Sequence, residues 1–275
     1  MAMTNEGTSK NSNQLVAICS AVGGTGRTTL TVNVATRIAN RGRKVSIVDG
    51  DLQFGDIAMA LDLKPTYTIK EVAEVHDLDN ILFYSSKHVS GMQILAAPTR
   101  PEYADLIPKD LFQEIVDAMK VETEFLFVET QSGLNEQTLE LMDKAEQIMI
   151  VATPSMHVLK NTKLMIETLE ALGLKKKAQI VINQFTPTSV VGPKKIQEIL
   201  GIEKIYVLAD DSKLVNESLD LGVPIVTTKP KHDFAKGIEK IAVDLIGNDD
   251  STNRKDTLFQ SISKFYPKRL EGENS

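Results

Sequence analysis

Seven apolar runs punctuate the chain, at 15–20, 44–48, 92–97, 125–128, 147–152, 178–182 and 205–208. None alternates apolar with polar residues, so each reads as a strand buried on both faces. Apolar positions at helical spacing fill the intervals, predicting helices at 27–39, 57–61, 111–119, 134–145, 158–172, 193–200, 212–221 and 234–246. Strand and helix in alternation imply a doubly wound α/β domain over 14–246, a mainly parallel sheet with helices on both faces. Residues 1–13 read as a disordered leader or linker, 247–254 as a polar spacer and 270–275 as a tail.

The first strand, the turn AVGGTGRTT (21–29) and the first helix together form a recipe for holding phosphate. Gly23, Gly24 and Gly26 permit positive φ, turning backbone NH groups inward. Arg27 offers a cation and Thr28 a hydroxyl for Mg²⁺. Against GxxxxGK[ST] the fit is partial: Ala21 stands at the first glycine and Arg27 at the lysine. The surroundings strengthen it. The second strand runs into Asp49, Gly50 and Asp51, and the fourth into Glu129, which puts carboxylates at the strand ends where open α/β sheets bind ligands. Glu129 on a buried strand has the form of a carboxylate delivered to a metal.

Composition narrows the field further. At 275 residues, 42% hydrophobic, the chain can bury a large core. A net charge of −6 argues against a broad electrostatic nucleic-acid surface, so no nucleic-acid partner is expected. A single cysteine, Cys19, excludes an internal disulfide and sits in a strand, where a buried inert thiol is expected. His76, His88, His157 and His232 lack metal-ligand spacing. With no apolar stretch long enough to span a bilayer and no signal-like leader, a cytoplasmic location is expected.

Several blocks, in order, resemble the deviant P-loop ATPases of the MinD/ParA superfamily: VDGDLQFGDIAMALDL, AAPTRPEYADLI, SGLNEQTLELMDKAEQIMIVATP, VINQF and LADDSKLVNESLDLGVPIV. The QFGD and PTRPEYADLI stretches look most like the pilus-assembly branch, CpaE or TadZ. The resemblance implies ATP and Mg²⁺ as cofactors. Gly23, Gly24, Thr25, Gly26, Arg27, Thr28 and Thr29 would wrap the phosphates and Gly133 would face the terminal one. Asn183 would read adenine with its carboxamide. Thr28, Asp51 and Glu129 would serve the metal, with Asp51 and Arg27 as the catalytic pair and Asp51 orienting the attacking water.

Three positions depart from the family. Its first lysine, which reaches across a dimer, falls on Val22; its second falls on Arg27; and the aspartate of the fourth strand is Glu129. Phosphoryl transfer depends on positioning and charge, so turnover is expected to suffer more than binding, leaving slow hydrolysis or none. The implied function is a nucleotide-dependent homodimeric switch that localises pilus (tight adherence or type IV) or secretion machinery, with the assembly proteins as partners. The alternatives are a scaffold that dimerises constitutively without hydrolysis, and a septum-site or flagellar-number regulator.

The stretch 255–269 places Leu258, Phe259, Ile262, Phe265 and Tyr266 on one helical face beside Lys255, Lys264, Lys268 and Arg269. Such a basic amphipathic helix suits docking onto this domain or a partner. Peripheral contact with an anionic membrane, with polar or membrane-associated localisation, is the second reading, since five apolar side chains on a short helix give only marginal membrane affinity.

Overall fold

The computed structural model describes residues 13–247. Of the expected leader, 1–13, only Asn13 is described; its remainder, the spacer beyond Gly247, the 255–269 helix and the tail lie outside the described residues. The strands are β1 (Gln14–Cys19), β2 (Val45–Gly50), β3 (Ser86–Lys87), β4 (Gln93–Leu95), β5 (Phe125–Thr130), β6 (Gln147–Ala152), β7 (Ala178–Phe185) and β8 (Ile205–Ala209). The helices are α1 (Arg27–Ala39), α2 (Ile69–Val75), α3 (Lys109–Val121), α4 (Glu136–Lys144), α5 (Met156–Ala171), α6 (Pro193–Leu200), α7 (Ser212–Leu221), α8 (Ile225–Thr228) and α9 (Asp233–Ile246). One sheet runs β3-β4-β2-β5-β1-β6-β7-β8, parallel except for β3, which pairs antiparallel with β4. This is a doubly wound, mainly parallel α/β architecture with helices on both faces.

The pleat divides β1 between two cores. Leu15, Ala17 and Cys19 face the side covered by α3 to α6, with Phe112, Ile115, Leu141, Leu159 and Ile196. Val16 and Ile18 face the side of α1, α8 and α9, with Leu30, Ile38, Ile225, Phe234 and Ile241. Both faces being dry explains the unalternating apolar runs. At roughly 1.5–3 kcal/mol per fully buried aliphatic or aromatic side chain, these two layers are what hold the strand ends in place. Arg37 of α1 and Arg41, in the turn that follows it, both clamp Glu239 of α9. Thr68 and Glu71 form a reciprocal cap at the start of α2.

The sequence expectations shift at several points. The helix expected over 57–61 is one 3₁₀ turn, Met59–Leu61, because the segment is bent around Asp49. β2 and β5 run two residues further than their apolar runs, so Asp49 and Glu129 are strand residues, buried at 1% and 3% exposure. α2, α8 and β3 carry too few periodic positions to be read from pattern.

Candidate functional site

Everything of chemical interest lies at the C-terminal edge of the sheet. β1 ends at buried Cys19, whose Sγ rests 3.6 Å from the Met149 carbonyl and whose thiol is pushed by burial up to about 12. Ser20 then turns the chain, its hydroxyl donating to the Val22 carbonyl at 2.7 Å. Gly24 and Gly26 take positive φ (72° and 92°), while Gly23, expected to join them, does not. Gly26 is fixed as glycine for a second reason: a Cβ there would overlap Asn183 Nδ2. That amide donates to the Thr25 carbonyl at 2.9 Å, so β7 pins the loop from the far side. α1 begins with no side-chain cap and no acid in its first turn, leaving its first NH groups open to an anion.

Three chains of contact meet on Arg27. Its Nη1 donates to Ser20 Oγ at 2.6 Å, its Nη2 to Asp51 Oδ2 at 3.4 Å, and its Nε lies 3.6 Å from Glu129 Oε1. Thr28 Oγ1 donates to the same Glu129 oxygen at 2.8 Å. Burial pushes Glu129 up to about 7, although the Thr28 hydroxyl and the Arg27 guanidinium both pull it down. Asp49 beside it is held well above the usual carboxylate range, by burial first and then by the Glu129 charge. Asp49 accepts from the backbone NH groups of Asp51 (3.3 Å) and Ile57 (3.1 Å), folding the loop after β2 back over the site. Gly55 permits this, since a Cβ there would press on Asp49 and sit 2.5 Å from Ala97 Cβ. Val22 has no approach to phosphate; it packs, half-buried, against the apolar layer of α3 to α6.

The structure gathers Gly23 to Thr29, Asp51, Glu129 and Asn183 around one loop. Gly133 joins them through its NH, which donates to the Ser20 carbonyl at 2.8 Å. Beside the loop, between β7 and β8, opens a pocket of about 340 Å³, mouth included, lined by Gly26, Asn183, Gln184, Asp210, Asp211 and Asn216 among others. Of its polar wall sequence reading found Asn183, and Thr29 as a phosphate residue; the DD pair after the β8 run was the visible trace of the rest. It also passed over Asp49 as a positioning group, for which the signal was the buried strand position.

The residues suit a nucleotide with Mg²⁺. Thr25 Oγ1 and Glu129 Oε2 are buried without a partner, and Gly23, Gly24 and Gly133 face open space. A hydroxyl and two carboxylates are hard oxygen donors of the kind Mg²⁺ takes alongside water and phosphate oxygens. Among the described residues no group of three or more His, Cys, Asp or Glu forms a self-sufficient metal cage, and no helix is long and apolar enough to cross a membrane.

A glycine loop between a buried strand and an uncapped helix, with a hydroxyl and carboxylates converging on it, defines a P-loop NTPase. The family model described as ParA, NUBPL iron-transfer P-loop NTPase, matches residues 11–246, and the chain belongs to that family. It is 26% identical over 252 residues to an uncharacterized ATP-binding protein of Methanocaldococcus jannaschii, covering 91% of this chain and 94% of the other. It is also 26% identical to the septum site-determining protein MinD of Synechocystis, over 86% and 91% of the two chains. Among solved structures it resembles Pyrococcus horikoshii MinD complexed with Mg-ADP, with TM-score 0.75, 23% identity and coverage of 84% and 95%. A ParA family ATPase from Chlorobium tepidum is similar at TM-score 0.76 and 18% identity, covering 84% and 98%.

Proposed function

We propose that this chain is an ATP- and Mg²⁺-binding positioning switch of the MinD kind, a homodimer when nucleotide is bound, with slow hydrolysis. The observation that carries this is the convergence of Arg27, Thr28, Asp51 and Glu129 on one open helix N-terminus. The run of septum-site relatives supports this reading over the pilus-assembly one anticipated from sequence. Localisation of pilus or secretion machinery remains a second reading, carried by the QFGD and PTRPEYADLI stretches, both on the same sheet edge.

Thr28, Asp51 and Glu129 would hold Mg²⁺, which when bound neutralises phosphate charge. Backbone NH groups of 23–29 would receive the phosphate oxygens. Arg27 leaves Asp51 to meet phosphate, and Asp51, so released, orients a water. Glu129 gives up its proton as the site gains positive charge. With an apolar, half-buried valine at position 22, no second cation crosses from the partner, which is the physical ground for slow turnover. Phe54 (74% exposed), Met156 (59%) and Val190 (96%) follow β2, β6 and β7 on this edge and suit a partner copy. The iron-transfer wording of the family description finds no thiolate set here, since the one cysteine is buried in β1.

Calorimetric titration with ATP and Mg²⁺, followed by sedimentation with and without nucleotide, tests the proposal. Micromolar binding with a monomer-to-dimer shift is expected. Silence in both measurements, in the natural sequence and in a Val22→Lys, Arg27→Lys variant, would end it; dimerisation indifferent to nucleotide would favour the constitutive scaffold.

A further inference from the structure

Away from the phosphate loop, four elements near the β3 border build a face that the nucleotide reading does not use. α2 starts against the end of β4, its Ile69 NH donating to the Ala96 carbonyl at 3.0 Å. It packs against two 3₁₀ turns, Ile81–Tyr84 and Pro101–Leu106, and the first of these packs against α3. Aromatic rings join the pieces: Phe83 stands 5.1 Å from Tyr67 and 5.4 Å from buried Tyr84, and the Lys70 ammonium lies 5.2 Å from the centre of the Tyr103 ring. Yet Phe83 is 64% exposed, and Val75 and Leu106 on the adjoining elements are 63% and 49% exposed. Large apolar side chains left open on neighbouring elements mark a surface that another molecule covers.

The charge around them is of one sign. The local lysines are engaged by other acids, Lys70 by Glu71 and Glu74 and Lys109 by Glu136 and Glu140. Exposed Asp79, Asp105 and Asp110 have no ion pair among the described residues. An occupant of this face therefore needs an apolar side and cations of its own. The stretch 255–269 has both: Leu258, Phe259, Ile262, Phe265 and Tyr266 fall at helical spacing, flanked by Lys255, Lys264, Lys268 and Arg269.

The topology decides whose segment it is. α9 ends beside β8, where Asp244 accepts from the Tyr206 hydroxyl at 2.8 Å, and it packs in the apolar layer of α1. The acidic face lies toward the opposite border and in the layer of α3. Six strand spacings separate β8 from β4, roughly 29 Å at about 4.8 Å each, and a helix layer about 10 Å thick must be rounded on either side. Fully extended, the link from Gly247 to Leu258 reaches about 40 Å, which is shorter than that route. A second copy meets no such limit.

We propose that this acidic, aromatic face docks the 255–269 segment of a second copy of the chain. The segment's apolar side covers Phe83 and Val75, and its cations face Asp79, Asp105 and Asp110. The contact is made by helices and turns and leaves the β3 ladder untouched. Being separate from the loop-bearing edge, it needs no nucleotide.

Sedimentation of the natural sequence without nucleotide, over rising concentration and at low and high salt, is the test. The mean mass should climb to about twice that of one chain or more. Salt should reverse the climb, because exposed charges are screened. Two charge-reversed variants, Asp79→Lys with Asp105→Lys on the face and Lys264→Glu with Lys268→Glu on the segment, should each lose the association with the melting temperature unchanged. An equimolar mixture of the two should regain it, since each then offers the other a face and a segment of opposite charge. A natural sequence that stays monomeric overturns the proposal, as does association that survives either reversal. A mixture that fails to regain the mass overturns it too, and is the result that docking within one chain would give. A segment that serves only a membrane would leave the natural chain monomeric while it floats with phosphatidylglycerol vesicles. Constitutive dimerisation through the nucleotide edge would survive both reversals, so the two self-contacts are told apart.

Discussion

Thr28 and Glu129 are joined hydroxyl to carboxylate at 2.8 Å, across the gap between the start of α1 and the end of β5. Through that contact the helix that opens the phosphate loop feels the protonation state of a buried strand. Glu129 is pushed by burial up to about 7, from an ordinary value of 4.5. Its folded value lies above its unfolded one, so between about 4.5 and 7 the folded state holds more protons than the unfolded state. The stability this group contributes is therefore complete below about 4.5 and is lost as pH rises through about 7. Stability of the nucleotide-free protein is expected to fall over that window by on the order of 2–3 kcal/mol from this group. Urea denaturation at pH 5 and pH 7.5 checks it, and Glu129→Gln should flatten the difference.

Arg27 competes for two carboxylates that a lysine would reach less fully. Restoring both family cations in Val22→Lys, Arg27→Lys should raise phosphate release by at least about tenfold, since charge placement dominates phosphoryl transfer. Steady-state phosphate release at saturating ATP reads this directly, and an unchanged rate would move the deficit to Glu129.

Gly55 gives a sharper packing prediction. Its missing Cβ lets the Asp49 carboxyl and Ala97 close over the loop that carries Asp51. Gly55→Ala should cost about 1–3 kcal/mol by overpacking and should weaken nucleotide binding along with it. A thermal melt paired with calorimetry shows whether the two losses travel together.

Asn183 ties β7 to the loop through the Thr25 carbonyl. Asn183→Ala should cost about 1–2 kcal/mol in stability, because that buried carbonyl loses its side-chain partner. Gly26 loses its tight neighbour in the same variant, so Gly26→Ala should be less harmful in the Asn183→Ala background than alone. A double-mutant cycle from chemical denaturation measures that coupling.

The dimer face can be separated from the nucleotide site. Phe54 is 74% exposed, and its link to the site is a backbone one, its NH donating to Asp51 Oδ1 at 3.3 Å. Phe54→Glu should leave ATP affinity within about twofold while abolishing the nucleotide-dependent shift in sedimentation, because a charge placed in an interface core is expensive to desolvate.

Much of this architecture is legible in the chain because β1, β2, β5 and β6 are buried on both faces and so cannot hide their apolar runs. The loop, Asp51, Glu129 and Asn183 are legible for a related reason, since each follows or ends such a run. What escaped reading is set by contacts far apart in sequence. The Asn183 amide meeting Thr25, Val22 packing half-buried against the apolar layer, and His232 reaching Asp211 leave no local periodicity. His88 is a further case: nothing in its neighbourhood in the chain marks it as interior, yet it is buried, burial lowers it to about 4, and only Nδ1 finds a partner, in Ser90. Where β2 and β5 end was misread because a carboxylate looks like a stop signal, whereas here Asp49 and Glu129 are carried inside by neighbours that satisfy them.

The reversed strand β3 has a consequence for assembly. An open sheet with a free side invites another chain to add a strand there and keep adding. On this side only two residues, Ser86 and Lys87, complete the ladder, and Lys87 carries an exposed ammonium. So brief and charged a border discourages sideways growth into filaments. Growth from the β3 border is thereby discouraged, in keeping with the association through the loop-bearing edge proposed above.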